Sequence, residues 1–465
     1  MMREPEFSLL QKPTAIELRD KLVLILGLGD TGLSAARWVE REGGRVRVAD
    51  TRSAPPGLKD FKGEFHSGEF QESLLRDVDL LCVSPGLSLE ERIIREAAAR
   101  NLPVVGDIEL FAWHVRAKTA SKVLAVTGTN GKTTVTALTG HLLRAAGVDC
   151  EVAGNIGPAA LCALAKRKDS GHLPAVWVLE LSSYQLETTW SLKPNAATLL
   201  NLSEDHLDRY TGIADYGAAK ARIFLGNGEQ ILNRDDLHSI AMKRSDRRVV
   251  TFGLDAPPGD DDFGVLEGAL VLGEKVILQE AALPIHGAHN VANALAACAL
   301  ARSAGIAFQE LGTGLRSFKG LPHRLELVRT LNGIEWYDDS KGTNVGATVA
   351  ALRGLGKRTV LIMGGEGKGQ DFSPLVSPVA EFSKAVLLIG RDAELIERAL
   401  VPSGVALQRC KSLEEAVEKA ASLARAGEAV LLSPACASFD MFRDYKHRGE
   451  VFAAAVKRLA ASTPS

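Results

Sequence analysis

"AVTGTNGKTTVTAL", residues 125–138, decides how the rest of the chain is read. A β-branched run, "KVLAVTG", enters a glycine-bearing turn and leaves it through Lys132, Thr133, Thr134 and a helical pattern over 132–146. That order aims backbone N–H groups and a helix amino terminus at one point, adds the ammonium of Lys132, and offers the Thr133 hydroxyl to a magnesium ion. It is the construction of a phosphate-binding loop. The Walker spacing asks for glycine where Val126 stands, so the loop is a variant of that pattern.

A hundred residues earlier, "LILGLGDTGLSAARWV" (24–39) carries a different nucleotide-binding signature. Its glycines at 27, 29 and 32, followed by Asp50 at the end of the next strand, fit a dinucleotide-fold fingerprint. Read alone, it favours a nicotinamide cofactor with Asp50 on a ribose. Physically it requires only a ligand that carries a diphosphate. Two phosphate sites in one chain imply two ligands and more than one domain.

The chain's 465 residues support about three domains at roughly 100–200 residues each. Short β-branched runs alternate with helical patterns throughout, which predicts α/β units with parallel sheets. In the first unit "KLVLILG", "RVRVAD", "VDLLCVS" and "LPVVG" read as strands, with a helix over 31–42 and, around 108–120, a helix that gives way to the polar joint "RAKTAS". In the second, "AVWVLELSS" and "AATLLNLS" are strands, "YGAAKARIF" is helical, and an alanine-rich helix covers 290–304. The acidic, proline-bearing "LDAPPGDDDFG" reads as a surface loop between small strands. In the third, "EWYDDS", "RTVLIMGG", "KAVLLIG" and "AVLLSPA" each precede a helical pattern. The expected architecture is a Rossmann-like domain over 1–112, a central P-loop mononucleotide-binding α/β domain over 113–320, and a Rossmann-like α/β domain over 321–465.

A formal net charge of −2 gives no general attraction to nucleic acid or anionic lipid. The six cysteines are scattered without a CxxC pair, which fits a reducing compartment better than a disulfide or zinc framework. The start "MMREPEFSLLQKP" lacks the basic and apolar regions of a secretory signal, and no segment approaches about 18 uninterrupted apolar residues. A soluble cytoplasmic protein is expected, with neither membrane nor nucleic-acid partners.

Further residues carry chemistry. In "VLELSSYQLE", Glu180 falls at the end of a buried strand, where a carboxylate needs a compensating cation, as a P-loop protein's metal-holding acid has; Glu187 reads as an exposed strand-end acid. "NLSEDHLDRY" puts His206 among three carboxylates. Lys220, in "YGAAKARIF", follows the pattern of a solvated helix lysine and nothing in its surroundings selects it. "ILNRDD" has the form of a guanine-reading signature with arginine in place of lysine, a chance outcome of a strand running into a helix start. "YDDSKGTN", "MGGEGKGQDF" and "SPACASFDMFRDYKHRG" all fall at carboxyl ends of predicted parallel strands, the edge where open α/β sheets bind ligands.

Taken in order, "GTNGKTT", "ELSSYQLE", "NLSEDHLDRY", "HGAHNVANALAA", "GLPHRLE", "DDSKGTN" and "LSPACASFDMF…HRG" resemble the Mur ligase family over nearly the whole chain. "DDSKGTN" and "SPACASFD" look like its D-glutamate-adding branch. The resemblance implies an ATP-dependent amide ligase of peptidoglycan synthesis, acting as a monomer on UDP-N-acetylmuramoyl-L-alanine and D-glutamate. It implies that Gly128, Thr129, Asn130, Gly131, Lys132, Thr133 and Thr134 cradle ATP, with Asn293 on adenine and Arg324 and Asp339 on phosphate and ribose. Two Mg²⁺ ions would be held by Thr133, Glu180, His206 and Lys220, the lysine being carbamylated in this family.

For the nucleotide-sugar the resemblance points to Asp30, Thr31, Thr51, Arg52, Ser84, Gly86, Asn155 and Ser182, with Asp50 orienting the turn. For D-glutamate it points to Lys341, Thr343, Lys368, Ser438 and Tyr445. "GGEGKG" has Glu366 where the family often has aspartate. The implied chemistry activates a carboxylate as an acyl phosphate, which the amine then opens; Lys132, Glu180, His206, Lys220 and Lys341 would carry it. The rivals are a folylpolyglutamate-type ligase, which would lack the "GLGDTG" fold, an NAD-dependent oxidoreductase, which leaves the GKT turn unexplained, and a guanine-nucleotide switch resting on "NRDD".

Overall fold

A computed structural model describes residues 10–205, 209–285 and 287–460, without the side chains of 116–118. The β-branched runs form strands covered on both faces. In β1 (Leu22–Leu26, "LVLIL") all five side chains are buried although successive ones point to opposite sides. A run of that kind needs helices above and below it.

The first sheet contains β1, β2 (Arg45–Asp50), β3 (Glu64–Ser67), β4 (Leu80–Val83) and β5 (Val104–Val105) in the order β3-β2-β1-β4-β5, every pair parallel. Strand order reverses beside β1, which opens a crevice at the carboxyl ends of β1 and β4.

The second sheet contains β6 (Lys122–Thr127), β7 (Cys150–Gly154), β8 (Val176–Glu180), β9 (Ala196–Leu199), β10 (Glu229–Asn233), β11 (Val249–Phe252), β12 (Phe263–Leu266), β13 (Ala269–Leu272) and β14 (Lys275–Gln279), ordered β14-β13-β12-β11-β10-β9-β6-β8-β7. β6 lies between β8 and β9, parallel to both. β12 and β13 form an antiparallel hairpin whose two turn residues, Glu267 and Gly268, have φ of 49° and 73°, the positive pair that a tight hairpin turn demands.

The third sheet contains β15 (Glu326–Leu331), β16 (Ile334–Asp338), β17 (Thr359–Gly364), β18 (Ser383–Ile389), β19 (Ala406–Arg409) and β20 (Ala429–Leu432), ordered β15-β16-β20-β17-β18-β19. Only β15 runs antiparallel to its neighbour.

By packing, the described residues make two compact units. One, comprising the chain up to Leu202 with Arg209–Ile277 and Ala294–Leu315, carries the first two sheets; the other takes Leu278–Asn293 and the chain from Arg316 onward and carries the third. Within the first unit the two sheets share a continuous apolar core in which Ile25, Val39, Phe111, Leu161 and Trp177 are all buried. Phe111, on helix Asp107–Lys118, meets Trp177 of β8 edge to face at 5.1 Å. In the second unit, separate clusters around Trp336 and Phe452 and around Leu361 and Phe372 line the sheet.

The predicted strands and helices are present with ends shifted by a residue or two, for example helices Asp30–Arg41, Asp107–Lys118 and Ala288–Ala304. Strands β3, β7, β15 and β19 were not expected; β15 (Glu326–Leu331) begins inside "SFKGLPHRLELV", which reads in the sequence as a joint between domains. β3 is mostly exposed, and β7 ("CEVAG") and β19 ("ALQR") carry polar residues inside short runs, so none shows a periodic apolar signal. Among the described residues no helix is long and apolar enough to cross a membrane.

Candidate active site

The phosphate loop leaves the carboxyl end of β6, flanked by the ends of β8 and β9. Gly128 has φ of 151°, and a Cβ there would sit 3.0 Å from Leu200 Cβ and 3.3 Å from Leu200 N. Gly131 caps helix Lys132–Ala145 at φ 83°. Both positions exclude larger residues, which explains the glycines of "GTNG".

Asn201, just beyond β9, sets the loop's shape: its Oδ1 accepts from Asn130 N at 2.9 Å, its Nδ2 donates to Asn130 O at 3.1 Å, and its carbonyl accepts from Thr129 N at 2.9 Å. Sequence reading passed over Asn201, although an asparagine directly after an apolar strand was the available signal. Lys132 Nζ donates to the carbonyls of Gly128 and Thr129, both at 2.8 Å, so the ammonium is folded over the loop. Thr133 is half-buried in the first turn of the helix and Thr134 is buried behind it.

Glu180 ends β8 and is 1% exposed. Its Oε1 accepts from Asn155 Nδ2 at 2.6 Å, while Oε2 has no hydrogen-bond partner among the described residues. An unpartnered buried carboxylate oxygen is costly, and a divalent cation beside the loop would supply what it lacks. Glu180 and Thr133 are hard oxygen donors of the type magnesium takes, so the residues present fit that ion.

Lys220, on helix Ile213–Ala221, is 1% exposed, contrary to its solvated sequence pattern. Its Nζ donates to Gly128 O at 2.9 Å and Thr127 Oγ1 at 3.4 Å and lies 4.5 Å from the Tyr216 ring centre. The helix thus delivers an amine to the base of the phosphate loop. His206, predicted as a metal ligand, lies outside the described residues. Ser182 caps the short helix Ser183–Glu187 in a reciprocal box with Gln185. Glu187 is buried and ion-paired with Arg209, not exposed as its sequence position suggested.

At the first crevice, Ser84 Oγ donates to Gly27 O at 2.9 Å, and a Cβ on Gly32 would fall 1.9 Å from Gly27 O. The glycines let the turn close against β4. Asp50 is occupied: Oδ2 accepts from Leu28 N at 2.7 Å, and Arg52 grips the carboxylate with Nε at 2.9 Å and Nη2 at 2.8 Å. Burial pushes its pKa up, but the Arg52 fork and the backbone donors outweigh that and hold it at about 2. Asp50 therefore orients the turn and Arg52; it is not available to a cofactor ribose. Asp30, Thr51 and Gly86 are exposed around this crevice and Thr31 is half-buried.

In the second unit, loops after β16, β17 and β20 emerge side by side and are laced together: Ala435 N donates to Gly342 O at 2.9 Å, and Glu366 and Ala437 exchange backbone bonds of 3.0 and 2.9 Å. They carry Lys341, Thr343, Lys368 and Ser438 to one edge. Lys341 Nζ lies 4.1 Å from the centre of the Tyr445 ring. Lys368 is exposed in the left-handed region at φ 52°, and Ser438 is buried. Glu366 pairs with Arg391 at 2.8 Å.

Asp339 accepts from Ser433 Oγ at 2.8 Å; burial pushes its pKa up to about 7 despite that bond and the Arg324 charge. Its neighbour Asp338 bonds His323 Nδ1 at 2.7 Å and raises the imidazole's pKa. A Cβ at Gly449 would lie 2.2 Å from His323 Nδ1, which accounts for the glycine of "HRG". Asn293 Nδ2 donates to Asn290 Oδ1 at 3.2 Å.

Sequence reading also missed Arg448, the other half of "HRG". It is fully buried, donates to Ser340 Oγ at 3.0 Å, Ser340 O at 2.8 Å and Cys436 O at 3.1 Å, and is pushed by burial down to about 10. One guanidinium holds the "DDSKG" and "SPACAS" loops in register. Arg448→Met should leave these acceptors unpaired and cost about 3 kcal/mol, read as a lower urea midpoint. An unchanged midpoint would show that the loops hold without it.

Comparisons with known proteins bear on the family and the fold. Residues 21–106 match the family model "Mur ligase MurD-like, N-terminal domain", 126–301 the "Mur ligase middle domain" and 323–436 the "Mur ligase, glutamate ligase domain". The chain is 54% identical over 460 residues to the UDP-N-acetylmuramoylalanine--D-glutamate ligase of Nitrosospira multiformis, covering 96% of this chain and 97% of that one. It is 52% identical over 465 residues to the protein of that name from Thiobacillus denitrificans, covering 96% and 98%. Among solved structures, UDP-N-acetylmuramate-alanine ligase MurC from Thermotoga maritima aligns with a TM-score of 0.60 at 18% identity over 94% of this chain and 99% of that one. MurF from Acinetobacter baumannii aligns with a TM-score of 0.58 at 17% identity over 94% of each. At those identities the structures bear on the fold alone.

Proposed function

The chain belongs to the Mur ligase family, and from that premise we propose that it joins D-glutamate to UDP-N-acetylmuramoyl-L-alanine with ATP as the energy source. The observation that carries this reading is the phosphate loop on β6, set beside a buried carboxylate with an unpartnered oxygen, in a unit that holds a second and separate diphosphate crevice. One crevice suits a triphosphate and the other a nucleotide-sugar.

A carboxylate is a poor acyl donor because its leaving group would be oxide. Here the alanyl carboxylate oxygen attacks the γ-phosphorus, the bond to ADP breaks, and the acyl phosphate that results has a good leaving group. The D-glutamate amine then attacks the carbonyl, the C–O bond to phosphate breaks, and the amine proton goes to solvent. Lys132 spreads the charge on the transferring phosphoryl group, as the N–H groups of Gly131–Thr133 do from the helix terminus. Bound magnesium would add charge neutralisation between the phosphates, held by Thr133, Glu180, His206 and a carbamylated Lys220.

Asn155 holds Glu180 in place and, with Ser182, borders the acceptor. Asp30, Thr31, Thr51, Arg52, Ser84 and Gly86 hold the nucleotide-sugar. Asn293, Arg324 and Asp339 serve adenine, phosphate and ribose. Lys341, Thr343, Lys368, Ser438 and Tyr445 meet the two D-glutamate carboxylates, for which cations and hydroxyl donors are suited. We place the domain boundaries at 112/113 and 320/321 and the enzyme in the cytoplasm as a monomer.

The test is a coupled phosphate assay. Phosphate release from ATP should require both UDP-N-acetylmuramoyl-L-alanine and D-glutamate. Equal turnover with L-lysine or meso-diaminopimelate in place of D-glutamate would overturn the specificity.

A further inference from the structure

Arg209 closes "DHLDR", a stretch in which only the histidine drew attention as chemistry. Its side chain is 12% exposed and reaches three groups at once. One arm, Nη1, donates to Leu87 O at 2.7 Å and to Pro85 O at 3.3 Å, on the loop that follows β4 of the first sheet. The other, Nη2, pairs with Glu187, which is 4% exposed and ends the helix that begins three residues beyond Glu180. The guanidinium carbon lies 4.5 Å from the Tyr184 ring centre, and that ring stacks on Tyr210 at 6.0 Å. The plane is thus held on a face and along both edges.

We propose that Arg209 is a positioning residue for the nucleotide-sugar subsite: by gripping the Pro85 and Leu87 carbonyls it fixes the Ser84–Gly86 turn relative to the strand end that carries Glu180. The proposal rests on the reading of that turn as a nucleotide-sugar contact. Peptide planarity gives the mechanism. Fixing the Pro85 carbonyl fixes the Gly86 N–H on the opposite side of the same peptide unit, and with it the direction in which the turn offers a donor to an anion. Glu187 neutralises the guanidinium, so the grip adds no net charge of its own to the diphosphate site. A planar fork with two arms at right distances is something lysine cannot reproduce.

Steady-state kinetics of Arg209→Met, Arg209→Lys and Glu187→Gln in the full chain test this. For Arg209→Met and Arg209→Lys the KM for UDP-N-acetylmuramoyl-L-alanine should rise about tenfold or more, while the KM values for ATP and D-glutamate stay within about threefold. Glu187→Gln should shift the same KM in the same direction, and the double variant Arg209→Met/Glu187→Gln should be no worse than Arg209→Met alone, because the two act as a unit. If Arg209→Met does not fold, Arg209→Lys, which keeps a cation opposite Glu187, decides the matter.

A uniform loss across all three substrates would reduce Arg209 to general packing and overturn the proposal, as would an unchanged nucleotide-sugar KM in Arg209→Lys. Wild-type enzyme that fails to saturate with UDP-N-acetylmuramoyl-L-alanine would overturn the functional reading beneath it, an outcome distinct from either.

Discussion

Lys132→Ala is expected to lower turnover by about 10³-fold or more, equivalent to about 4 kcal/mol of transition-state stabilisation, with the fold intact. The size follows from position. Lys132 begins the helix, its ammonium is already folded over the loop at 2.8 Å from two carbonyls, and the glycines at 128 and 131 allow the positive-φ backbone the loop requires. On the proposed mechanism, deletion removes a cation aimed where charge develops. The stabilising role of the ammonium in the folded state is small, since its two carbonyl acceptors belong to a loop that is also held by Asn201. Activity should therefore fall far more than melting temperature. Single-turnover phosphate release is the measurement, and normal amide formation by Lys132→Ala would end the assignment of this loop to the reacting phosphoryl group.

The parts of this site that sequence showed plainly are those whose chemistry is contiguous. "GTNGKTT" is strand, turn and helix in one run, and its glycines are dictated by backbone geometry that any reader of the chain can infer. Glu180 was visible because an acid ending an apolar strand is anomalous, and its unpartnered oxygen is the structural form of that anomaly. Arg448 and Arg209 were not visible, because each acts on segments distant in the chain and sits in a polar stretch where arginine is unremarkable; Asn201, directly after an apolar strand, was visible but passed over.

Asp50 shows a third case. Its spacing from the glycines was that of a ribose-binding acid, but Arg52, two residues on, captures the carboxylate, and a spacing rule does not register such a neighbour. The strands missed are short edge strands that bury few apolar side chains, so little alternation shows in the sequence.

Lys220→Ala should lose turnover by about 10²-fold or more, and formate or acetate at millimolar concentrations should restore part of it. The lysine is buried with its Nζ among a carbonyl, a hydroxyl and the Tyr216 ring. The neutral amine of a lysine is the form that reacts with CO₂ to give a carbamate and a proton. A carbamate at Lys220 would carry a negative charge and two oxygen donors at the carboxyl edge of β6, where Glu180 ends the adjoining strand.

Truncation to alanine leaves a space the length of the lost side chain, which a small carboxylate can enter to supply the missing oxygens. Rescue should track the size of the acid, with formate and acetate effective and bulkier acids excluded, and chloride at equal ionic strength without effect. A purely structural lysine predicts a different pattern: loss of stability, and no response to added acid. Full activity of Lys220→Ala without any additive would remove the carbamate from the mechanism and leave Glu180 to be satisfied by other ligands.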